Sequence, residues 1–280
     1  MLSEKLEKHL MKISVIGAGV IGTAIVNNLL KEMSGIKIIA TRRNVDELKE
    51  LEKIGVLVTK DNKKAASEAD VIMVCVKPIN VKEVLEEVKK EIEGKLVVSV
   101  AAAVPLHFLK EITPKTRFVR AMPNIAILVN EAFIAYCSGP DVTSEDKKML
   151  DEIFSNMGKY VEVPEKYMNS ITGLSGSGPA YLLVIIEALI NAGMKVGLPK
   201  DLAFLSSTQT VVGTGKLLLK SKKGLSELKD MVVTPGGTTI EGIYELESGG
   251  IRTTIMRSVK AATKKSEKIT KDIISGSNKT

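Results

Sequence analysis

From Lys12 the chain reads K-I-S-V-I-G-A-G-V-I-G-T-A-I-V-N-N-L-L: a short β-branched run, three glycines spaced G-x-G-x-x-G, then an amphipathic helical pattern. Few local patterns constrain a fold as strongly. Gly17 permits a tight turn, Gly19 lets backbone approach a diphosphate, and Gly22 lets helix pack closely on strand. Val20 and Ile21, opening the helix with Gly22, then present free N–H groups and the positive end of the helix dipole to a phosphate. The pattern predicts the start of a doubly wound, Rossmann-type α/β sheet that holds a dinucleotide.

The second strand narrows the choice of dinucleotide. The run I36-K-I-I-A40 is followed by Thr41, Arg42, Arg43 and Asn44, where an NAD-preferring site usually places an acid for the ribose 2′-hydroxyl. No carboxylate is expected at this end of the strand. Arginine offers planar, charge-assisted donors to phosphate oxygens, so Thr41, Arg42 and Arg43, with Asn62 beyond them, are candidates to receive a 2′-phosphate. NADPH is expected over NADH, with NADH still usable.

Strand-like runs at 36–40, 56–58, 71–76, 96–100 and 117–120 alternate with helical patterns at 44–54, 63–68 and 81–92. Near-continuous apolar strands separated by helices indicate a parallel sheet covered on both faces. Two further strands, around 132–136 and 160–163, flank a helix seeded by T143-S-E-D146, where a hydroxyl followed by acids suits an N-terminus. Beyond about Glu165 the pattern turns helical, at 178–195, 199–220, 225–231, 236–248 and 251–275, with Pro179, Pro199 and Pro235 near helix starts and glycines between them. The expected division is a Rossmann domain over residues 11–165 and an all-helical domain over 166–280.

Charge and composition exclude several classes. The net charge of +7 comes largely from a lysine-rich stretch after Arg257 with no interleaved aromatics, so it reads as a solvated helix face and no nucleic-acid partner is expected. Cys75 and Cys137 stand far apart in apolar runs, which suits reduced thiols in a cytoplasmic protein. With only His9 and His107 available, no histidine-based metal site or triad is expected, and no metal. No apolar stretch is read as approaching the roughly 20 residues that span a bilayer, so no membrane partner is expected. Residues 1–10 lack the apolar core of a signal peptide and read as a dispensable extension.

In doubly wound sheets ligands bind at the carboxyl ends of the strands. V76-K-P78, A101-A-A103 and A121-M-P-N124 follow three of them. Small residues at Ala101, Ala102 and Ala103 let a nicotinamide ring lie near backbone, and Asn124 can bond a carboxamide or ribose. Val76, Lys77 and Pro78 are candidates on the ribose and phosphate side, Lys77 being equally readable as surface charge. Two landmarks remain. T172-G-L-S-G-S-G-P-A-Y181 reads as a glycine-serine loop entering a helix through Pro179, with Ser175 or Ser177 as its cap, and T234-P-G-G-T-T239 reads as a turn opening another helix.

These last two motifs, with L-K-D-M-V-V-T-P-G-G-T-T-I-E-G, L-E-S-G-G-I-R, V-K-P, A-M-P-N and the glycine fingerprint, resemble pyrroline-5-carboxylate reductase over essentially residues 11–268. The resemblance implies NAD(P)H-dependent reduction of a cyclic imine, the last step of proline synthesis. It also implies a dimer interlocked through the helical domain, often assembled further into a decamer, with substrate between one subunit's nicotinamide and its partner's helical domain. On this resemblance Gly236, Gly237 and Thr238 offer backbone N–H groups to the substrate carboxylate, with the Thr238 and Thr239 hydroxyls as further donors. Thr234 keeps the hydroxyl of the serine common there, and Thr239, or a water it holds, is the candidate near the imine nitrogen. One departure stands out: K220-S-K-K-G224 carries lysines where some members place an acid near the substrate, so that contact is not carried over.

Two other readings stay open at this point. A β-hydroxyacid dehydrogenase would demand a lysine acid on the first long helix of the second domain, where only Lys195, near its end, is placed. A non-catalytic NADP(H) sensor would keep the fingerprint but have no use for the T-P-G-G-T-T turn.

Overall fold

Alternation of strand and helix gives, in the computed structural model, β1 (Met11–Ile16), α1 (Val20–Glu32), β2 (Ile36–Thr41), α2 (Lys49–Lys53), β3 (Leu57–Thr59), α3 (Asn62–Glu68), β4 (Val71–Val74), α4 (Val81–Glu87), β5 (Leu96–Ser99), α5 (Leu106–Ile112), β6 (Arg117–Met122), β7 (Ala132–Ser138), α6 (Ser144–Phe154) and β8 (Gly158–Glu162). The structure describes residues 10–276; His9 and all but Leu10 of the expected N-terminal extension lie outside the described residues. Two compact units are formed, Met1–Gly176 with Ala262–Thr280, and Ser177–Ala261.

The first unit is built on an eight-stranded sheet of order β3-β2-β1-β4-β5-β6-β7-β8. All neighbours are parallel except β6 and β7. Period-two alternation sends side chains to two separate cores. Val71 and Met73 of β4 and Leu96 and Val98 of β5 pack with α1 residues Ile25 and Leu29 and α6 residues Leu150 and Phe154. Ile72, Val74 and Val97 face the other way, against Leu85 of α4, Leu109 of α5 and Ile273. Both faces are therefore covered, which is why these strands read as unbroken apolar runs. Strand order reverses between β1 and β4, and that switch point is where such sheets open a crevice for ligands.

The start of α6 follows its sequence signal. Thr143 Oγ1 accepts from Asp146 N, and Asp146 Oδ2 accepts from Thr143 N at 2.9 Å, a reciprocal capping box. Asp146 also takes two hydrogen bonds from Arg117, at 2.6 and 3.0 Å.

Three expectations are corrected. The helix α5 is not among the expected elements; it is one short element buried mainly through Leu109, too brief to show helical periodicity. The segment expected as a glycine-serine loop is helical instead: a single turn at 165–167, α7 (Met168–Ile171) and a wide π-helical turn, Thr172–Gly176, run on toward α8 (Gly178–Lys195). Ser177 accordingly sits in helical conformation, φ −89° and ψ −18°, not in the extended conformation of a capping residue. The same continuity makes Glu165–Lys195 a 31-residue helical run, long and apolar enough by length and composition to cross a membrane. The glycines and serines at 173–178 interrupt the apolar pattern and hide this in the sequence. Within the first unit, Glu165 anchors the start of the run: its Oε1 accepts from Arg120 at 3.1 Å and from Leu106 N at 2.7 Å.

The second unit comprises α8, α9 (Lys200–Lys220), α10 (Leu225–Asp230), α11 (Thr238–Ser248) and the start of α12 (Ile251–Ile274). Each lies within two residues of its expected limits. In α8 and α9 only Ala203 is buried, against Gly193, where a Cβ would already be 3.0 Å from the Ala203 methyl carbon. Large apolar side chains stand open: Leu183 is 64% exposed, Leu205 63% and Tyr244 67%. A unit this apolar and this bare lacks a core of its own, the pattern of an obligate interface cut in half.

Candidate active site

At the switch point the glycine fingerprint makes a cradle. Gly17 leaves β1 with φ +87°, and the N–H groups of Gly17 and Ala18 donate to Thr41 O at 3.1 and 2.8 Å, fastening the loop to the end of β2. A Cβ on Gly17 would fall 2.5 Å from Val76 Cγ1, and one on Gly22 would fall 3.0 Å from Gly17 O and 3.3 Å from Cys75 Cβ. Around Gly19 the nearest atom to such a Cβ is Gly17 O at 4.0 Å. Gly17 and Gly22 are thus required by the protein's own packing, whereas Gly19 faces open space of the kind a diphosphate needs. Val20, Ile21 and Gly22 form the first turn of α1, whose N–H groups have no intrahelical acceptor and point their dipole at that space.

Beside the cradle lies the end of β2. Thr41 is buried, and its hydroxyl donates to Asn62 Oδ1 at 2.6 Å, while Asn62 Nδ2 donates to Glu87 Oε2 at 2.8 Å. Arg42 Nη1 donates to Ala18 O at 3.2 Å, and Nη2 forms an ion pair with Glu47, whose Oε1 also accepts from Asn44 at 3.3 Å. Arg43 is exposed. No carboxylate follows β2 directly, but the fold brings in Glu47 from the next turn and Glu87 from α4.

Next along the sheet come the ends of β4, β5 and β6. Val76 packs on Gly17, Lys77 is exposed, and Pro78 begins a single turn leading to α4. Ala101 is buried, Ala102 partly so, and Ala103 adopts φ +63° although it is not glycine. Asn124 is held at both ends, Oδ1 accepting from Ala126 N and Nδ2 donating to Ser175 O, each at 3.2 Å. Gly17, Thr41, Val76, Ala101 and Asn124 thus stand at the carboxyl ends of β1, β2, β4, β5 and β6, adjacent neighbours in one sheet. Burial pushes the Cys75 thiol, beneath the cradle, up to about 12, so it is a packing group and not a nucleophile.

In the second unit, Thr234–Gly237 form a tight turn. Gly237 N donates to Thr234 O at 3.0 Å, with Pro235 and Gly236 at the centre and Gly236 at φ +67°, a type II turn that requires glycine at its third position. Gly237 is extended, at φ −81° and ψ 168°, and serves as the residue before α11. Thr238 and Thr239 open that helix, so unpaired N–H groups, two hydroxyls and the positive helix end gather on one short stretch.

A glycine cradle at the switch point of a doubly wound sheet, with Arg42 and Arg43 just beyond the end of β2, places the chain among the NADP-dependent oxidoreductases. Residues 12–103 match the family model described as NADP oxidoreductase, coenzyme F420-dependent. Residues 165–269 match the model of pyrroline-5-carboxylate reductase dimerisation. Pyrroline-5-carboxylate reductase of Pisum sativum is 44% identical over 195 residues, covering 69% of this chain and 71% of that protein. That of Methanosarcina acetivorans is 44% identical over 198 residues, covering 70% and 73%. The crystal structure of Plasmodium falciparum pyrroline carboxylate reductase with NADP bound superposes with a TM-score of 0.86 at 32% identity, covering 93% of this chain and 98% of that one. The chain belongs to the pyrroline-5-carboxylate reductase family.

Proposed function

We propose that this chain reduces 1-pyrroline-5-carboxylate to proline with NADPH, the last step of proline biosynthesis. The observation that carries the reading is the Thr234–Gly237 turn opening α11, in a chain 44% identical to pyrroline-5-carboxylate reductases. NADPH, when bound, supplies a hydride for the carbon of the C=N bond; the nitrogen takes a proton. NADH serves as a weaker substitute.

The proposed division of labour follows the geometry. Gly17, Gly19, Val20, Ile21 and Gly22 hold the diphosphate. Thr41, Arg42, Arg43 and Asn62 receive the adenosine ribose and its 2′-phosphate. Val76, Lys77, Pro78, Ala101, Ala102 and Asn124 line the ribose and nicotinamide end. Thr234 shapes the turn and its carbonyl takes the Gly237 N–H, so of the three expected donors the N–H groups of Gly236 and Thr238 hold the substrate carboxylate, and the Thr239 hydroxyl, directly or through water, serves the imine nitrogen. A protonated imine is already electrophilic, so orientation supplies most of the acceleration.

In this reading residues 11–165 bind the cofactor, and 166–280 supply the substrate cradle and the dimer contact. A second copy covers the bare apolar faces of α8, α9 and α11, and the same burial accounts for the long apolar run from Glu165 without a bilayer. Dimers can assemble further, to the decamer that the resemblance implies. The proposed partners are a small imine and other copies of this chain, not nucleic acid or membrane, in a cytoplasmic setting that suits the free thiols of Cys75 and Cys137.

The test uses the carboxylate itself. Reduction of pyrroline-5-carboxylate should exceed that of 1-pyrroline, which lacks the carboxylate, by about 100-fold or more in kcat/KM, because charge-assisted hydrogen bonds are worth roughly 1.5–3 kcal/mol each. Equal rates with the two imines would sink the cradle.

A further inference from the structure

Arg42 is spoken for in this structure. Its guanidinium spans from the carbonyl of Ala18, in the glycine loop, to the carboxylate of Glu47, and Glu47 is held on its other oxygen by Asn44. Asn44 also caps the turn that carries Glu47, accepting from Asp46 N at 3.3 Å. The acid is therefore built into the loop after β2, in the turn Val45–Leu48, where it is paired with Arg42. The pair is only partly exposed on the arginine side, at 32%.

We infer that Glu47 sets this chain's cofactor selectivity: it occupies Arg42 in competition with the 2′-phosphate and so weakens the discrimination of NADPH from NADH. This rests on the reading that Arg42 and Arg43 meet the 2′-phosphate. A doubly charged phosphate arriving beside Arg42 meets a carboxylate already on that guanidinium, and must either displace it or share the cation with it. A 2′-hydroxyl raises no such conflict, since a neutral donor can bond the same carboxylate. Arg43, exposed and next in sequence, is then the cation that the phosphate reaches without exchange.

The experiment is a fluorescence titration of the whole protein with NADPH and with NADH, on the parent protein, Glu47→Gln and Arg43→Ala. Glutamine keeps the length of the side chain and removes its charge. Glu47→Gln should tighten NADPH binding about three- to tenfold, leave NADH within about twofold, and lose the gain as salt is raised, because partly exposed charges are screened. Unchanged or weaker NADPH binding in Glu47→Gln, or an equal shift for both cofactors, overturns the inference. Arg43→Ala separates the role of Glu47 from the reading it rests on. Selective loss of NADPH there with no selective gain in Glu47→Gln would defeat the role of Glu47 alone, whereas no selective loss would defeat the 2′-phosphate reading beneath it.

Discussion

The Thr234 hydroxyl occupies the space that a side chain on Gly237 would need: a methyl there would overlap Thr234 Oγ1 and lie 3.1 Å from the Thr234 carbonyl oxygen. The residue before α11 is thus held to glycine by its own turn, which the Gly237 N–H closes on the Thr234 carbonyl. Gly237→Ala should therefore displace Thr234, spoil the carboxylate cradle and lower kcat/KM for pyrroline-5-carboxylate by about 100-fold or more, while NADPH binding followed by fluorescence stays within about twofold. Thr239→Val, which removes a hydroxyl at similar volume, should act on kcat if that hydroxyl serves the imine nitrogen, and on KM if it only helps hold the carboxylate. Normal kcat/KM in Gly237→Ala would place the carboxylate elsewhere.

Arg42 and Arg43 carry the proposed preference for NADPH. Replacing both by Ala should raise KM for NADPH by the equivalent of roughly 1–3 kcal/mol for each charge-assisted hydrogen bond removed, and leave KM for NADH nearly unchanged. Parallel losses for both cofactors in steady-state kinetics would show that the arginines do not read the 2′-phosphate.

The apolar faces of the second unit predict obligate association. Leu183→Glu combined with Leu205→Glu puts charges on two positions that stand open in the single chain. If a second copy covers them, the variant should sediment as a monomer or aggregate and lose imine reduction, because buried unpaired charges are costly. A variant that stays dimeric and active would mean that these two positions lie outside the interface.

Much of this architecture is legible in the sequence, for identifiable reasons. The glycine triplet can be read because each glycine answers to a definite steric demand: Gly17 to Val76, Gly22 to Gly17 O, Gly19 to open space. Thr143 and Asp146 announce α6 because a capping box is a local device. Helices of the second unit are legible from their proline starts and glycine ends. The π-helical turn at Thr172–Gly176 is not, since glycine and serine signal a loop unless tertiary packing holds them, as Asn124 holds the Ser175 carbonyl. Nor are Glu47 and Glu87, which reach the cofactor end only once turns fold back on β2. Ala103, at φ +63°, gives no sign in its residue type of the left-handed backbone it adopts.

Asp146 should dominate the acid sensitivity of the first unit. Its carboxylate is 1% exposed; burial pushes its pKa up, but Arg117 and the Thr143 donors outweigh that and hold it below the usual carboxylate value. A lowered folded pKa means that the stabilisation is fully present above the unfolded value, about 4, and is lost as pH falls through the folded value. Asp146→Asn should cost about 2 kcal/mol at pH 7 by urea unfolding, and the difference from the parent protein should shrink below about pH 4. A difference that stays constant into that range would contradict the ion pair as its source.

The central claim, that this chain reduces pyrroline-5-carboxylate to proline with NADPH, is tested most directly by mixing the whole protein with NADPH and pyrroline-5-carboxylate and following absorbance together with the proline formed. One proline should appear for each NADPH oxidised, and none when either reactant is withheld. Tight NADPH binding with no oxidation on adding the imine would contradict the account.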